Sequence, residues 1–99
     1  MAREVREGLQ TQGPNESIPY RIRVTPAAVS AGNVTVRDQN TGADVTSAVT
    51  DADGVIVSDG ALVLPVIHDL EESHFYEVEV AYADASGATI TPLFRVLCS

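Results

Sequence analysis

Residues 75–98 read FYEVEVAYADASGATITPLFRVLC, and they give the clearest indication of the fold class. Apolar or aromatic side chains recur at every second position of its first half: Tyr76, Val78, Val80 and Tyr82. Glu77 and Glu79 stand between them, so the segment is typical of a strand with one buried and one solvated face. The loop at 84–87 ends in Gly87, which can adopt positive φ, and the return strand is predicted over 88–98. The stretch therefore predicts a β-hairpin.

The preceding residues repeat this period of two between turn-forming clusters. No segment of the chain shows a sustained helical period. Predicted strands fall at 18–24, 34–36, 45–49, 55–57, 61–67, 76–82 and 88–98. About seven short strands at this spacing predict an all-β sandwich.

Residues 1–16 form a separate, extended N-terminal arm in this interpretation, and residues 17–99 form the sandwich domain. Besides Met1, the arm has Val5 and Leu9 as its sizeable apolar side chains, too few for self-burial. Two alternatives follow: a neighbouring subunit orders the arm, or the arm adds an edge strand to its own sheet. Under the first, deleting residues 1–14 leaves the sandwich folded but prevents docking. The candidate partner-binding residues are Arg3, Val5, Arg6, Leu9, Arg21 and Arg23.

Charge is distributed unevenly and excludes several classes of function. The chain has 99 residues and a formal net charge of −8; four arginines face three glutamates in residues 1–23, while two arginines face eleven acids afterwards. A nucleic-acid-binding domain normally carries a basic face, so nucleic acid is an unexpected partner. No apolar run is long enough for a membrane span, and no signal peptide is recognisable. These features predict neither membrane association nor export.

The sequence contains no convincing catalytic or metal-binding constellation. Cys98 is the single cysteine, which favours a small core residue that ends the last strand. The DADG motif at 51–54 begins like a calcium loop, but Val55 and Leu62 occupy later ligand positions. His68 and His74 flank an acidic turn and are interpreted as a hydrated loop pair. We therefore expect a non-catalytic protein without a cofactor or metal.

The spacing of Leu70, Tyr76, Val78 and Val80 resembles that of the tyrosine-corner segment of fibronectin type III and immunoglobulin-like domains. In those domains a leucine precedes a turn, and a tyrosine entering the next strand bonds back to the backbone. The resemblance implies a structural role for Leu70 and Tyr76 and an immunoglobulin-like, fibronectin III-like sandwich.

Residues 16–98 also resemble the small immunoglobulin-like accessory proteins of tailed bacteriophages. The likeness lies in three segments: the alternating strand at 17–24, the Thr-, Val- and Asp-rich stretch VTVRDQNTGADVTSAV at 34–49, and the hairpin at 75–98 that begins with a tyrosine-containing strand. It implies a virion structural protein, assembled in the host cytoplasm as a homo-oligomer. Its partners would be capsid, neck or tail subunits, and its role that of a decoration (cement) protein or a head-tail or fibre adaptor. The alternative is a carbohydrate- or cell-surface-binding module, for which Phe75 is the aromatic residue not assigned to the core.

Overall fold

The computed structural model describes residues 3–5, through their backbone alone, and residues 9–51 and 54–99. The elements in chain order are β1 (Arg3–Val5), β2 (Leu9–Gln12), β3 (Ile18–Ile22), β4 (Ser30–Asp38), α1 (Thr46–Val49), β5 (Ile56–Ser58), β6 (Ala61–Ile67), β7 (Phe75–Ala83), β8 (Thr89–Ile90) and β9 (Leu93–Cys98). The first sheet has the order β1-β3-β6-β5. The second has the order β2-β9-β7-β4, with β8 also paired to β7. The fold is therefore mostly β and built on two sheets, which is compatible with a sandwich.

The two sheets share one hydrophobic core. Tyr20 of β3 and Phe94 of β9 meet across the interior, with ring centroids 5.1 Å apart. Inward positions alternate with outward ones along β3, β7 and β9, as the period of two predicted. The buried set draws on both sheets and includes Ile22, Leu62, Leu64, Ile67, Val34, Val36, Val78, Val80 and Val96.

Both predicted tight hairpins are present. Asp59 and Gly60 connect β5 to β6 with positive φ at each residue (51° and 76°), which is the geometry of a type I′ turn. Gly87 also has positive φ, 86°, in the turn that follows β7. The return strand predicted over 88–98 is interrupted at Pro92 and forms β8 and β9, because proline cannot donate a ladder hydrogen bond.

The prediction of a strand over 45–49 is wrong, because Thr46–Val49 forms the short helix α1. An Asp44 oxygen accepts the backbone N–H of Thr46 at 3.0 Å and its hydroxyl at 2.7 Å, which favours a turn over a strand. The spacing of Val45 and Val49 fits one face of a helical turn as well as one face of a strand. Among the described residues there is no helix that could span a membrane.

The described part of the N-terminal segment contributes strands to both sheets. β1 pairs in parallel with β3 in the first sheet, and β2 pairs in parallel with β9 in the second. Of the two alternatives for the arm, the structure therefore shows pairing with the chain's own sheets. This pairing argues against the expectation that residues 1–14 can be removed without loss of stability.

Gln12 fastens the N-terminal segment to the opposite sheet. It ends β2 in the second sheet, and its side chain is fully buried. Its amide nitrogen donates to the carbonyl oxygens of Ile67 (2.7 Å) and Glu16 (3.0 Å), and its amide oxygen accepts the Tyr20 hydroxyl at 2.8 Å. A buried amide without partners is costly, so these bonds fix where β2 lies against β3 and β6.

Replacing Gln12→Ala should destabilise the fold by about 2 kcal/mol or more, because Tyr20 and the two carbonyls lose a buried partner. Urea unfolding followed by circular dichroism measures this loss. Gln10→Ala, in the same strand, is the matched control and should cost less. An unfolding midpoint of Gln12→Ala equal to that of the unmodified protein would contradict the assigned role.

Candidate functional site

The outer surface of the first sheet carries a row of apolar side chains. Strand register sets Pro19 opposite Val66, and sets Val63 between Arg21 on β3 and Ile56 on β5. Ile56 is 66% exposed and Val66 is 39% exposed. We call these five residues (Pro19, Arg21, Ile56, Val63 and Val66) the first-sheet face.

Acidic residues are absent from β3, β5 and β6, although the chain as a whole contains fourteen. The Arg21 guanidinium donates to the carbonyl oxygen of Ser58 at 3.2 Å, which holds this side chain across the sheet. The second sheet differs, since Glu77 and Glu79 occupy outward positions on β7, as the sequence predicted. The first-sheet face is thus apolar with a positioned arginine, a composition found in the cores of protein–protein interfaces.

The predicted partner-binding residues are divided between the two sheets. Arg21 belongs to the first-sheet face, and Arg23 is exposed just after β3. Leu9 is 55% exposed but lies on β2 in the second sheet. Arg3 and Val5 lie in β1, where the backbone alone is described, and Arg6 lies outside the described residues. The sequence did not single out Ile56, Val63 and Val66. Val63 and Val66 are three residues apart, and they share a face only because a register shift between Pro19 and Arg21 interrupts the alternation along β6.

Tyr76 bonds back to the turn that precedes its strand. Its hydroxyl oxygen accepts the backbone N–H of Glu71 at 2.8 Å, and Leu70 is buried beside the turn. Burial raises the pKa of the Tyr76 hydroxyl above its ordinary value. This contact fixes the loop between β6 and β7 against the end of the second sheet.

Asp38, His74 and Glu71 meet at the same end, and we call them the corner cluster. Asp38 ends β4, and its carboxylate is 6% exposed and lies 2.7 Å from Nδ1 of His74. Nε2 of the same ring is 3.6 Å from Oε2 of Glu71. Burial opposes ionisation of Asp38, but hydrogen bonds from His74 and from the Asn40 backbone lower its pKa overall. The bond to Asp38 raises the pKa of His74.

Sequence reasoning missed the contact between Asp38 and His74. It assigned Asp38 to a turn, whereas the alternation of Val34 and Val36 continues through Asp38 to the end of β4. The antiparallel pairing of β4 with β7 then brings Asp38 opposite Tyr76, two residues after His74. That continued alternation is the signal that could have predicted an inward-facing Asp38.

His68 is held by two carboxylates and is separate from the corner cluster. Its Nδ1 lies 2.8 Å from Asp69, and its Nε2 lies 2.9 Å from Asp51. The hydrogen bond to Asp69 and the one to Asp51 raise its pKa despite partial desolvation. Both ring nitrogens are therefore engaged. His68 and His74 bind different carboxylates, and their side chains are 18% and 21% exposed.

All five aromatic residues lie in the described part of the chain, and four of them are core residues. Tyr20, Tyr76, Tyr82 and Phe94 are at most 3% exposed, whereas Phe75 is 40% exposed, as the sequence predicted. Cys98 is buried at the end of β9, and burial raises its thiol pKa. A buried thiol of raised pKa is a poor nucleophile.

Comparison with family models, with curated proteins and with solved structures gives no match.

The pKa of His68 should lie above about 6.5 in the folded protein and fall towards that value in Asp69→Asn. Because its folded pKa is raised, His68 stabilises the fold below about pH 6.5, and this contribution is lost as pH rises through the folded pKa. NMR titration of the imidazole ring measures the pKa. Asp59→Asn, another turn aspartate with positive φ, is the control and should leave the pKa unchanged. Equal His68 pKa values in Asp69→Asn and the unmodified protein would count against the assignment.

Proposed function

We propose that this protein is a non-catalytic accessory virion protein of a tailed bacteriophage and that it docks on other protein subunits through the first-sheet face. The partner is a capsid, neck or tail subunit, and the role is that of a decoration protein or an adaptor. The apolar surface of Pro19, Ile56, Val63 and Val66 around Arg21, on which Ile56 and Val66 are exposed, carries this proposal.

Charge distribution supports protein docking at this face. A net charge of −8 keeps the rest of the surface solvated and opposes non-specific association. The first-sheet face meets less of that repulsion, because β3, β5 and β6 contain no acidic residue; β1, the fourth strand of this sheet, sets Glu4 in register with Arg21. Arg21, already held by Ser58, loses less conformational freedom when it contacts a partner.

The immunoglobulin-like, fibronectin III-like assignment is part of the same proposal. Two sheets with a shared core, and the Tyr76 hydroxyl bonded to the backbone of Glu71, support it. Domains of this architecture commonly act as interaction modules, but architecture alone does not define function. The functional part of the proposal therefore rests on the first-sheet face and not on the architecture.

Carbohydrate binding, the alternative function, has weaker support. Sugar-binding surfaces use exposed ring faces, and Phe75 is the exposed ring among the five aromatic residues. A glycan-array signal that Phe75→Ala abolishes would favour this alternative over subunit docking.

The protein should be a stoichiometric component of purified phage particles, and mass spectrometry measures its copy number. A number on the order of hundreds indicates a decoration protein, and about a dozen or fewer indicates a neck or tail adaptor. Its absence from particles would overturn the proposal.

Ile56→Asp combined with Val66→Asp should lower binding to particles lacking the protein by about tenfold or more, because it places charge in a desolvated interface. Sedimentation of particles with added purified protein measures the bound fraction. Val29→Asp is the matched control, since Val29 is 61% exposed and lies outside the first-sheet face. Equal loss in Val29→Asp, or undiminished binding of the double variant, would contradict docking through this face.

A further inference from the structure

The corner cluster presents one histidine nitrogen and one carboxylate oxygen to the same point in space. Nε2 of His74 and Oε2 of Glu71 are 3.6 Å apart, which is longer than a hydrogen bond. Zinc binds histidine nitrogen and carboxylate oxygen at about 2.0–2.2 Å. An ion at about 2.1 Å from both atoms would subtend an angle of about 120° between them, which suits four-coordination completed by water.

Asp38 occupies the position that orients a metal-binding histidine. Its Oδ2 lies 2.7 Å from Nδ1 of His74, and its Oδ1 accepts the backbone N–H of Asn40 at 2.9 Å. In the neutral imidazole, a proton on Nδ1 donates to Asp38, which leaves the Nε2 lone pair available on the side of Glu71. A carboxylate behind a ligating histidine fixes the ring and increases its basicity.

We infer that the corner cluster is a binding site for Zn²⁺ or a similar divalent transition-metal ion. Nε2 of His74 and Oε2 of Glu71 are the ligands, and Asp38 is the positioning residue. With two protein ligands, the site leaves coordination positions for water. This inference goes beyond the proposed function and does not depend on it.

The rest of the structure explains why the ligands meet here. Backbone bonds to β9 hold His74 and its neighbour: the Ser73 N–H donates to the Cys98 carbonyl, and the Cys98 N–H donates to the His74 carbonyl. The Tyr76 hydroxyl fixes the backbone of Glu71. The Glu71 side chain itself is 72% exposed, so it can adjust to an ion at little cost in packing.

His68 provides an internal comparison. It also has two carboxylate neighbours, but each of its ring nitrogens already lies within 2.9 Å of one of them. Asp51 and Asp69 are 92% and 79% exposed, so His68 lacks the buried carboxylate that orients the ring of His74. We therefore expect metal binding at His74 and not at His68.

Titration of the purified protein with ZnCl₂ tests the site. Calorimetry and NMR of the histidine rings measure binding during the titration. The His74 ring signal should shift saturably at one equivalent, whereas the His68 signal should not. MgCl₂ should leave both signals in place, because Mg²⁺ prefers oxygen ligands and keeps its waters. Absence of saturable Zn²⁺ binding, or a shift confined to His68, would overturn the inference.

Variants then assign the ligands. His74→Gln and Glu71→Gln should each weaken Zn²⁺ binding by about tenfold or more, and Asp38→Asn should weaken it by about 10–100-fold through the ring orientation. His68→Gln and Glu72→Gln are the matched controls and should bind Zn²⁺ like the unmodified protein. Unchanged affinity in His74→Gln, or equal losses in the controls, would overturn the assignment. If His74→Gln fails to fold, the Zn²⁺ affinity of Glu71→Gln tests the ligand assignment, because the Glu71 side chain is exposed and its replacement should leave the fold intact.

Discussion

The buried amide of Gln12 is the constraint that joins the N-terminal segment to the rest of the fold. β2 belongs to the second sheet, yet two of the three hydrogen bonds of the Gln12 side chain reach β3 and β6 of the first sheet, and the third reaches Glu16. Every polar atom of that side chain is used, so β2 cannot slide along β9 without leaving buried groups unpaired. Parallel pairing with β9 and the amide contacts therefore specify the same register. The hydrogen bonds of the Gln12 side chain therefore join the two sheets, in addition to the packing of the shared core.

The two outer surfaces of this fold have different chemistry, and this difference suggests how the protein is used. Outward positions on β7 carry glutamates, whereas β3, β5 and β6 expose valine, isoleucine and proline around one arginine. Strand register collects these residues from three segments of the chain into one face. Such a face loses little solvation when a protein covers it, because most of its side chains are apolar, and Arg21 is already positioned by Ser58. The proposed docking role rests on this arrangement.

The end of the second sheet combines structural and chemical roles. The Tyr76 hydroxyl holds the turn that contains Glu71, and the pairing of β4 with β7 brings Asp38 to His74. The result is a histidine whose one nitrogen is bound by a buried carboxylate and whose other nitrogen faces an exposed one. The proposed metal site follows from the same backbone contacts that close the fold at this corner.

Sequence patterns were sufficient to predict the β architecture, the Asp59-Gly60 and Gly87 turns, the burial of four aromatic residues and the exposure of Phe75. These properties depend on side-chain alternation and on backbone preferences of single residues, which are local. The sequence did not determine that 45–49 is helical, where Asp44 binds Thr46, or that Gln12 is buried within a run of polar residues. It also placed neither Asp38 beside His74 nor the apolar residues of β3, β5 and β6 on one face. Those outcomes depend on strand order and register between distant segments, which set the polar groups that become partners when the two sheets pack on one core.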